Sequence, residues 1–469
     1  MDIYDVVITL VYISLIYALA FVTKSFHGKN ELYQKYFIKG LTAKIVGGLS
    51  YALVYTYYYD YGGDSLAYFH DARLITRHFF SEPLEALSFI WNPAEAASSG
   101  IASQMGQFRF HIGGQEFPVV RVAAILNILG MDSFFSTTVF FASLSYVGVW
   151  HFFLVFAKRY PAIKGQMALS VLFIPSVFFW GSGIMKDTMV IGFLGIMMYG
   201  IDRFLRSSLT GWGWLFLVLY SGFVIFSIKA YVIMALAPAL LVWMVMNYKD
   251  RIKNQLIRTL IVPFLLAMAL VGVVASVQLL GQYQSKYSLE NFLTSAQSIQ
   301  NWHYIEGENT ADNHGRGSSY TLGEYDSSVL GVMKVFPAAV NVTLFRPYPW
   351  EISSVMMIAS AAESAALFIF SLFIFFGLGF FRVIRLLFKD PFLLMSVTFA
   401  LFFAFAVGFT SYNFGALARY KIPCIPFYVA SLLILNYEVK MLKAAKKNPL
   451  AGRKQGSPHA FSARSAVAG

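Results

Sequence analysis

The chain has 469 residues, of which 58% are hydrophobic, 17% aromatic and only 13% charged, and its mean hydropathy is +0.61. Soluble domains carry about twice that charged fraction, so a soluble globular fold is excluded. The single cysteine, Cys424, lies in an apolar run and excludes a disulfide framework, while the net charge of +12 must be located before it is given a partner.

Apolar runs of roughly 18 to 25 residues recur along the chain, the signature of transmembrane helices. They predict an all-α polytopic integral membrane protein with about eleven transmembrane helices, near 4–22, 41–59, 133–157, 166–181, 187–202, 212–228, 231–247, 259–280, 354–381, 391–410 and 422–438. The segment Met1-Asp2-Ile3-Tyr4-Asp5 is acidic, unlike the basic start of a secretory signal, so the first run reads as a retained helix. Two connections are long, about 60–132 and 281–353. Residues 1–440 thus form a transmembrane domain. Residues 441–469 are basic, then rich in Ser, Ala and Gly, and read as a disordered tail.

The charges follow the alternation of the connections. The segments 24–40, 158–165, 203–211, 248–258, 382–390 and the tail from 439 hold 23 of the 36 Lys and Arg, and the opposite side holds 19 of the 24 Asp and Glu. By the positive-inside rule the N-terminus and both long loops are extracytoplasmic and the C-terminus cytoplasmic. The basic excess lies in short juxtamembrane loops rather than in one stripe, which argues against nucleic acid.

The stretch from Gly62 to Arg73 follows the second span. Its glycines free the backbone, and Asp64 or Ser65 is placed to cap a helix running to about Phe80. On that helix Asp64, Tyr68, Asp71 and His78 share one stripe, and His70, Arg73 and Arg77 share a second beside it. A plain amphipathic surface helix would show the same pattern. Further charges collect on the same side of the membrane: Lys186-Asp187 after a Gly-Ser-Gly break, Lys229 between two apolar runs, Arg346 and Glu351 around Tyr348 and Trp350, and Arg419 and Lys421 before the last span. Snorkelling explains many charges at a membrane edge. Lys186 and Lys229, however, sit in tight turns where water access is poor, and there a lysine needs a partner or a ligand. Asp187 is placed to cap the fifth span and to pair with Lys186.

Guanidinium and ammonium groups at an outward, membrane-level cavity suit phosphate or pyrophosphate, with arginine giving bidentate contacts. Carboxylates and imidazoles beside them suit proton transfer from a hydroxyl acceptor. Tyr68 and Trp350 suit a sugar face, as they also suit an interfacial aromatic belt. The sequence carries no P-loop, zinc or serine-hydrolase motif, and the reading calls for no metal and no cofactor. A substrate at once phosphorylated, lipid-anchored and presented outside fits polyprenyl-(pyro)phosphate-linked sugar.

Two stretches carry a family resemblance. The outside stretch from Gly62 through Asp64 to Tyr68, and the Pro175 to Lys186 stretch that starts a later span, resemble bacterial O-antigen and exopolysaccharide polymerase-like membrane proteins. The basic position of the second stretch is usually arginine in those families and is lysine here. The C-type polytopic glycosyltransferases are similar too, but their acidic loop follows the first span rather than the second. The resemblance implies an enzyme of the bacterial cytoplasmic membrane that transfers or polymerises polyprenyl-linked sugars, alongside other polysaccharide-assembly proteins. On this expectation Lys186, Lys229, Arg346 and Arg419 hold phosphate, and Asp64 or Asp71 acts on the acceptor hydroxyl, with His70 or His78 as further candidates for the base. The loop 281–353, with Trp302, His303, Glu306 and Glu308, would contact the glycan. The alternatives are a C-type enzyme using a polyprenyl-phosphate monosaccharide, and a transporter or flippase of lipid-linked glycans.

Overall fold

The computed structural model describes residues 3–59, 63–207, 211–248, 255, 260, 318–323 and 329–447. Among them the chain is all-α; the nearest thing to sheet is one antiparallel bridge between Ser319 and Asn413. The protein is a polytopic membrane protein, and eight of its described helices are long and apolar enough to cross a bilayer. They are α1 (Ile3–Phe26), α2 (Tyr33–Tyr58), α8 (Phe134–Arg159), α11 (Lys186–Arg206), α12 (Trp212–Tyr248), α15 (Val355–Leu378), α17 (Pro391–Ser411) and α19 (Ile425–Lys447).

Eight and eleven reconcile in three places. The run 166–181 is not one helix: it forms α9 (Lys164–Leu172) and α10 (Pro175–Trp180), because Pro175 lacks the N–H that would continue the first helix. The runs 212–228 and 231–247 join as α12, broken only at Lys229, whose φ of −146° and ψ of 77° are not helical. The run 259–280 falls outside the described residues. The last helix runs to Lys447, so the start of the expected tail is helical.

The long connection 60–132 is largely helix. It folds into α3 (Asp64–Phe79), α4 (Pro83–Trp91), α5 (Pro93–Ser98), α6 (Ile101–Met105) and α7 (Phe117–Leu129). Ala72, Phe89, Phe117 and Val120, all fully buried, give this subdomain its own core. Prolines begin α4 and α5, where a missing N–H costs nothing.

The chain divides into two compact units, 1–158 with 171–230, and 159–170 with 231–469. In the first, glycines let backbones meet where side-chain packing alone would hold helices apart. A Cβ on Gly148 of α8 would overlap the Gly192 carbonyl of α11, and one on Gly195 would overlap the Gly148 carbonyl. Gly148→Val should therefore lose folded protein, since overpacking costs about 1–3 kcal/mol and more where backbone opposes it. Gly213→Ala, which has open space, should not. Equal thermal midpoints for the two variants would show that this crossing tolerates a side chain. Lys44 is buried in α2 and donates to the Gly181 carbonyl and, at 3.3 Å, to Ser145 Oγ. It thus satisfies a carbonyl freed by the break after α10, in the way that intramembrane polar groups require.

In the second unit α13 (Val329–Lys334) precedes α14 (Phe336–Phe345), which packs on α17, with Gly408 against the Ala339 carbonyl and Thr343 Oγ1 donating to Ala404 O at 2.7 Å. Asp390 caps α17 by accepting from the N–H groups of Phe392 and Leu393, and Tyr160 Oη donates to its other oxygen at 2.8 Å. Burial, reinforced by the Asp390 charge, holds the Tyr160 phenol well above the ordinary tyrosine range, so it remains a donor. Residues 318–320 pair with 412–414, where Tyr412 takes the left-handed conformation at φ 47°. Asn413 caps α18 (Phe414–Tyr420).

Candidate functional site

The N-cap of α3 is Gly63, at φ 89°, with no side-chain cap; neither Asp64 nor Ser65 plays that role. Only glycine adopts this angle freely, and a Cβ here would also press on the Tyr55 ring. Asp64 is instead the exposed first residue of the helix, and Ser65 is buried.

The two stripes of α3 have opposite fates. Of the first, Tyr68 is buried and stacks on Phe110 with centroids 4.4 Å apart, so it is a core residue rather than a sugar platform. Asp71 is fully buried. Its Oδ1 accepts from the Arg109 N–H and its Oδ2 from the Phe110 N–H, both at 2.9 Å. A carboxylate clasped by two backbone amides anchors a loop and is closed to substrate. His78 pairs with Glu85 at 3.0 Å.

The second stripe faces an open cleft of about 540 Å³. His70, Arg73, Leu66 and Phe69 of α3 line it, with Tyr4 and Asp5 of α1, Thr56 of α2, Arg109, and the turn Met131–Asp132 leading to Phe134 and Phe135. Half of this lining is aromatic or aliphatic, and the other half is polar: four charged residues, Asp5, Arg73, Arg109 and Asp132, with His70 and Thr56, which suits an amphiphilic anion better than a sugar alone.

His70 is the group with chemical leverage. Its Nδ1 lies 3.1 Å from Asp71 Oδ1, and its side chain is 39% exposed. With the Asp71 carboxylate fixed by backbone, a neutral His70 donates Nδ1–H to it and leaves Nε2 as a hydrogen-bond acceptor. Arg73 Nε lies 2.8 and 2.9 Å from the two oxygens of Asp132, and Arg77 Nη2 lies 3.2 Å from the same carboxylate. Asp132 and its neighbour Met131 both have positive φ, 60° and 53°, which non-glycine residues seldom adopt without a structural reason. Tyr4 Oη holds the turn by donating to Met131 O at 3.0 Å, and Tyr12 Oη donates to Leu129 O. Arg109 is exposed, and its guanidinium makes no ion pair among the described residues. Thr56 is buried, and its hydroxyl has no hydrogen-bond partner among the described residues. It sits in a π-helical turn, Val54–Tyr58, a distortion often found at functional sites.

The expected phosphate set is divided between the two units: Lys186 and Lys229 belong to the first, Arg346 and Arg419 to the second. Lys186 pairs with Glu116 at 2.8 Å, and the N-cap before it is Met185. Asp187 pairs instead with Lys229, at 2.5 Å, both buried. Arg346 is held by Glu351 through Nε, at 3.0 Å from each oxygen, and through Nη2. It also lies over the rings of Phe414, Tyr320 and Tyr348. Three of the four cations therefore already have carboxylate partners. Arg419 is half-buried beside the Tyr420 ring. Trp350 is 72% exposed and stacks on Tyr348 at 4.9 Å, so it alone of the two expected sugar aromatics presents a free face. Lys421 is buried and donates to Ser364 Oγ at 3.1 Å, and burial holds its ammonium below the ordinary lysine range despite the charge of Glu363. Trp302, His303, Glu306 and Glu308 lie outside the described residues.

The cleft residues Asp5, Thr56, Arg109 and Asp132 went unmarked in the sequence. The only local sign was the Gly130-Met131-Asp132-Ser133 turn between two apolar runs. Among the described residues no cluster of His, Cys, Asp and Glu could hold a metal ion. Comparison of the chain with family models, curated proteins and solved structures finds no match.

Proposed function

We propose that the protein is a glycosyltransferase or repeat-unit polymerase acting on polyprenyl-(pyro)phosphate-linked sugars, at the extracytoplasmic face of a bacterial cytoplasmic membrane, and that the cleft beside α3 is its reaction site. The observation that carries this reading is the His70–Asp71 pair at an amphiphilic, arginine-bearing cleft of a membrane protein. In the reaction an acceptor hydroxyl oxygen attacks the sugar anomeric carbon. The bond from that carbon to the phosphate oxygen breaks, and the lipid (pyro)phosphate leaves with the electron pair. His70 Nε2 takes the hydroxyl proton, and Asp71 steadies the imidazolium that forms. Arg109 meets the negative charge on the leaving group, with Arg73 fixed beside it by Asp132. Topology supports the same face: the start of α1, the end of α2 and the 60–132 segment, all assigned outside by the charge rule, converge on this cleft.

The test is transfer by the purified protein in lipid nanodiscs, with polyprenyl-diphosphate oligosaccharide labelled in the sugar. The expected result is a longer lipid-linked glycan together with free polyprenyl diphosphate. A second reading, transport of such lipids, is favoured by one observation: the buried Lys229–Asp187 pair at the break in α12, since transporters place ionisable groups at interrupted helices. Movement of labelled lipid across proteoliposomes with no new glycosidic bond would replace the first reading by the second.

A further inference from the structure

The link between α15 and α17 carries a feature that the sugar chemistry does not use. Helix α16 (Phe380–Lys389), FFRVIRLLFK, is the most strongly amphipathic of the described helices. It is ten residues long, too short to cross a bilayer. Arg382, Arg385 and Lys389 fall at i, i+3 and i+7, so they share one stripe, and all three are exposed. The helix contains no acid. Leu386 and Leu387 are buried and hold it to its unit. Its other apolar groups are not buried: Phe381 is 85% exposed, and Phe380, Ile384 and Phe388 are exposed too. Water would tolerate the cations but not such a set of phenylalanines beside them.

Two further cations stand at the same end of the unit. Gly377, near the end of α15, packs against Val439 of α19. Beyond that contact Lys443 lies over the Phe373 ring, 5.3 Å from its centroid, and Lys440 is exposed. Asp390, the acid that follows α16, is buried and already engaged by the cap of α17 and by Tyr160. The surface is therefore basic, aromatic and flanked by the ends of membrane spans.

We infer that α16 lies in the membrane interface and binds anionic phospholipid, with Phe380, Phe381 and Phe388 among the acyl chains and Arg382, Arg385 and Lys389 on the headgroup phosphates. The charge and the apolar surface each need a partner, and a lipid headgroup with its chains supplies both in one molecule. A soluble phosphate would satisfy the cations and leave the rings in water. Gly379, at φ 77°, makes the break that turns the chain out of α15 into this helix.

The test uses the full chain in vesicles of phosphatidylcholine with phosphatidylglycerol, extracted and weighed by native mass spectrometry for retained lipid. Wild-type protein should retain phosphatidylglycerol over phosphatidylcholine. The triple variant Arg382→Gln, Arg385→Gln, Lys389→Gln should lose that preference, by roughly fivefold for each cation removed at low salt. A matched triple, Lys24→Gln, Lys29→Gln, Lys35→Gln, removes as much charge around the turn from α1 to α2 and should keep it. Equal retention in wild type and the α16 triple, or equal loss in both triples, overturns the inference. Because removing cations can upset membrane insertion, a second measurement leaves them in place. A nitroxide on Phe381→Cys should be quenched by oxygen in preference to a water-soluble nickel chelate. A label reached mainly by the chelate puts α16 in water and ends the proposal.

Discussion

His70→Gln should lower sugar transfer by about 10²–10⁴-fold while leaving the protein folded, because general acid–base catalysis by a positioned side chain is worth that much. Glutamine keeps a polar side chain on α3 but cannot take up the acceptor proton. The loss should fall on kcat rather than KM. Asp71→Asn should also lower the rate, for a different reason. An amide offers one acceptor oxygen where two backbone N–H groups, of Arg109 and Phe110, now each find one. The loop then loosens and His70 loses its fixed partner, so KM should rise along with the fall in kcat. Asp64→Asn, at an exposed position away from the cleft lining, should transfer sugar at nearly the wild-type rate. Full activity in His70→Gln with loss in Asp64→Asn would move the base back to the start of the helix and remove the role given to the cleft.

The second large effect concerns stability. Lys229→Met strands the Asp187 carboxylate in a buried site, and breaking such a pair from one side costs about 3–5 kcal/mol. The thermal midpoint in nanodiscs should drop steeply, or the protein should fail to accumulate. The double variant Lys229→Met, Asp187→Leu removes both charges and should recover most of that loss, since a buried ion pair exchanged for apolar side chains is often neutral or better. A double variant as unstable as the single one would mean that the break in α12 itself depends on the lysine. A stable double variant that also makes glycan at the wild-type rate would leave the pair a structural strut, and would weaken the transport reading that draws on it.

The spans were legible because the bilayer demands long apolar runs, and no tertiary detail alters that demand. The errors fell where hydropathy is silent. Pro175 split a run of the right composition; the kink at Lys229, by contrast, falls where two expected apolar runs meet. The site was half legible for a related reason. Helical periodicity put His70, Arg73 and Arg77 on one stripe, and two of them, His70 and Arg73, do line the cleft. Periodicity gave equal weight to the stripe of Asp64, Tyr68, Asp71 and His78, whose members turn to the subdomain core, to a neighbouring helix or to solvent. What decided between them was a loop some forty residues onward, whose main-chain N–H groups claim Asp71; main-chain donors leave no mark in a sequence. Charge pairing failed likewise. Lys186 and Asp187 are neighbours in sequence, yet each found a distant partner, Glu116 and Lys229, because successive residues on a helix point about 100° apart.

Helix α1 changes how the chain is free to vary over evolutionary time. Along its length only Thr9 and Ala20 are buried. Three tyrosines tie it down: Tyr4 and Tyr12 at carbonyls of the 129–131 turn, and Tyr17 at Thr42 Oγ1, 2.7 Å away. Acyl chains discriminate little between Leu, Val, Ile and Phe, so Val7, Leu10, Val11, Leu15, Leu19 and Val22 can interchange at almost no energetic cost. Any exchange at the tyrosines frees a carbonyl or hydroxyl from its partner, and at Tyr4 it unpins a wall of the cleft. The helix therefore holds two clocks, one running fast over its lipid-facing surface and one nearly stopped at three hydroxyl groups.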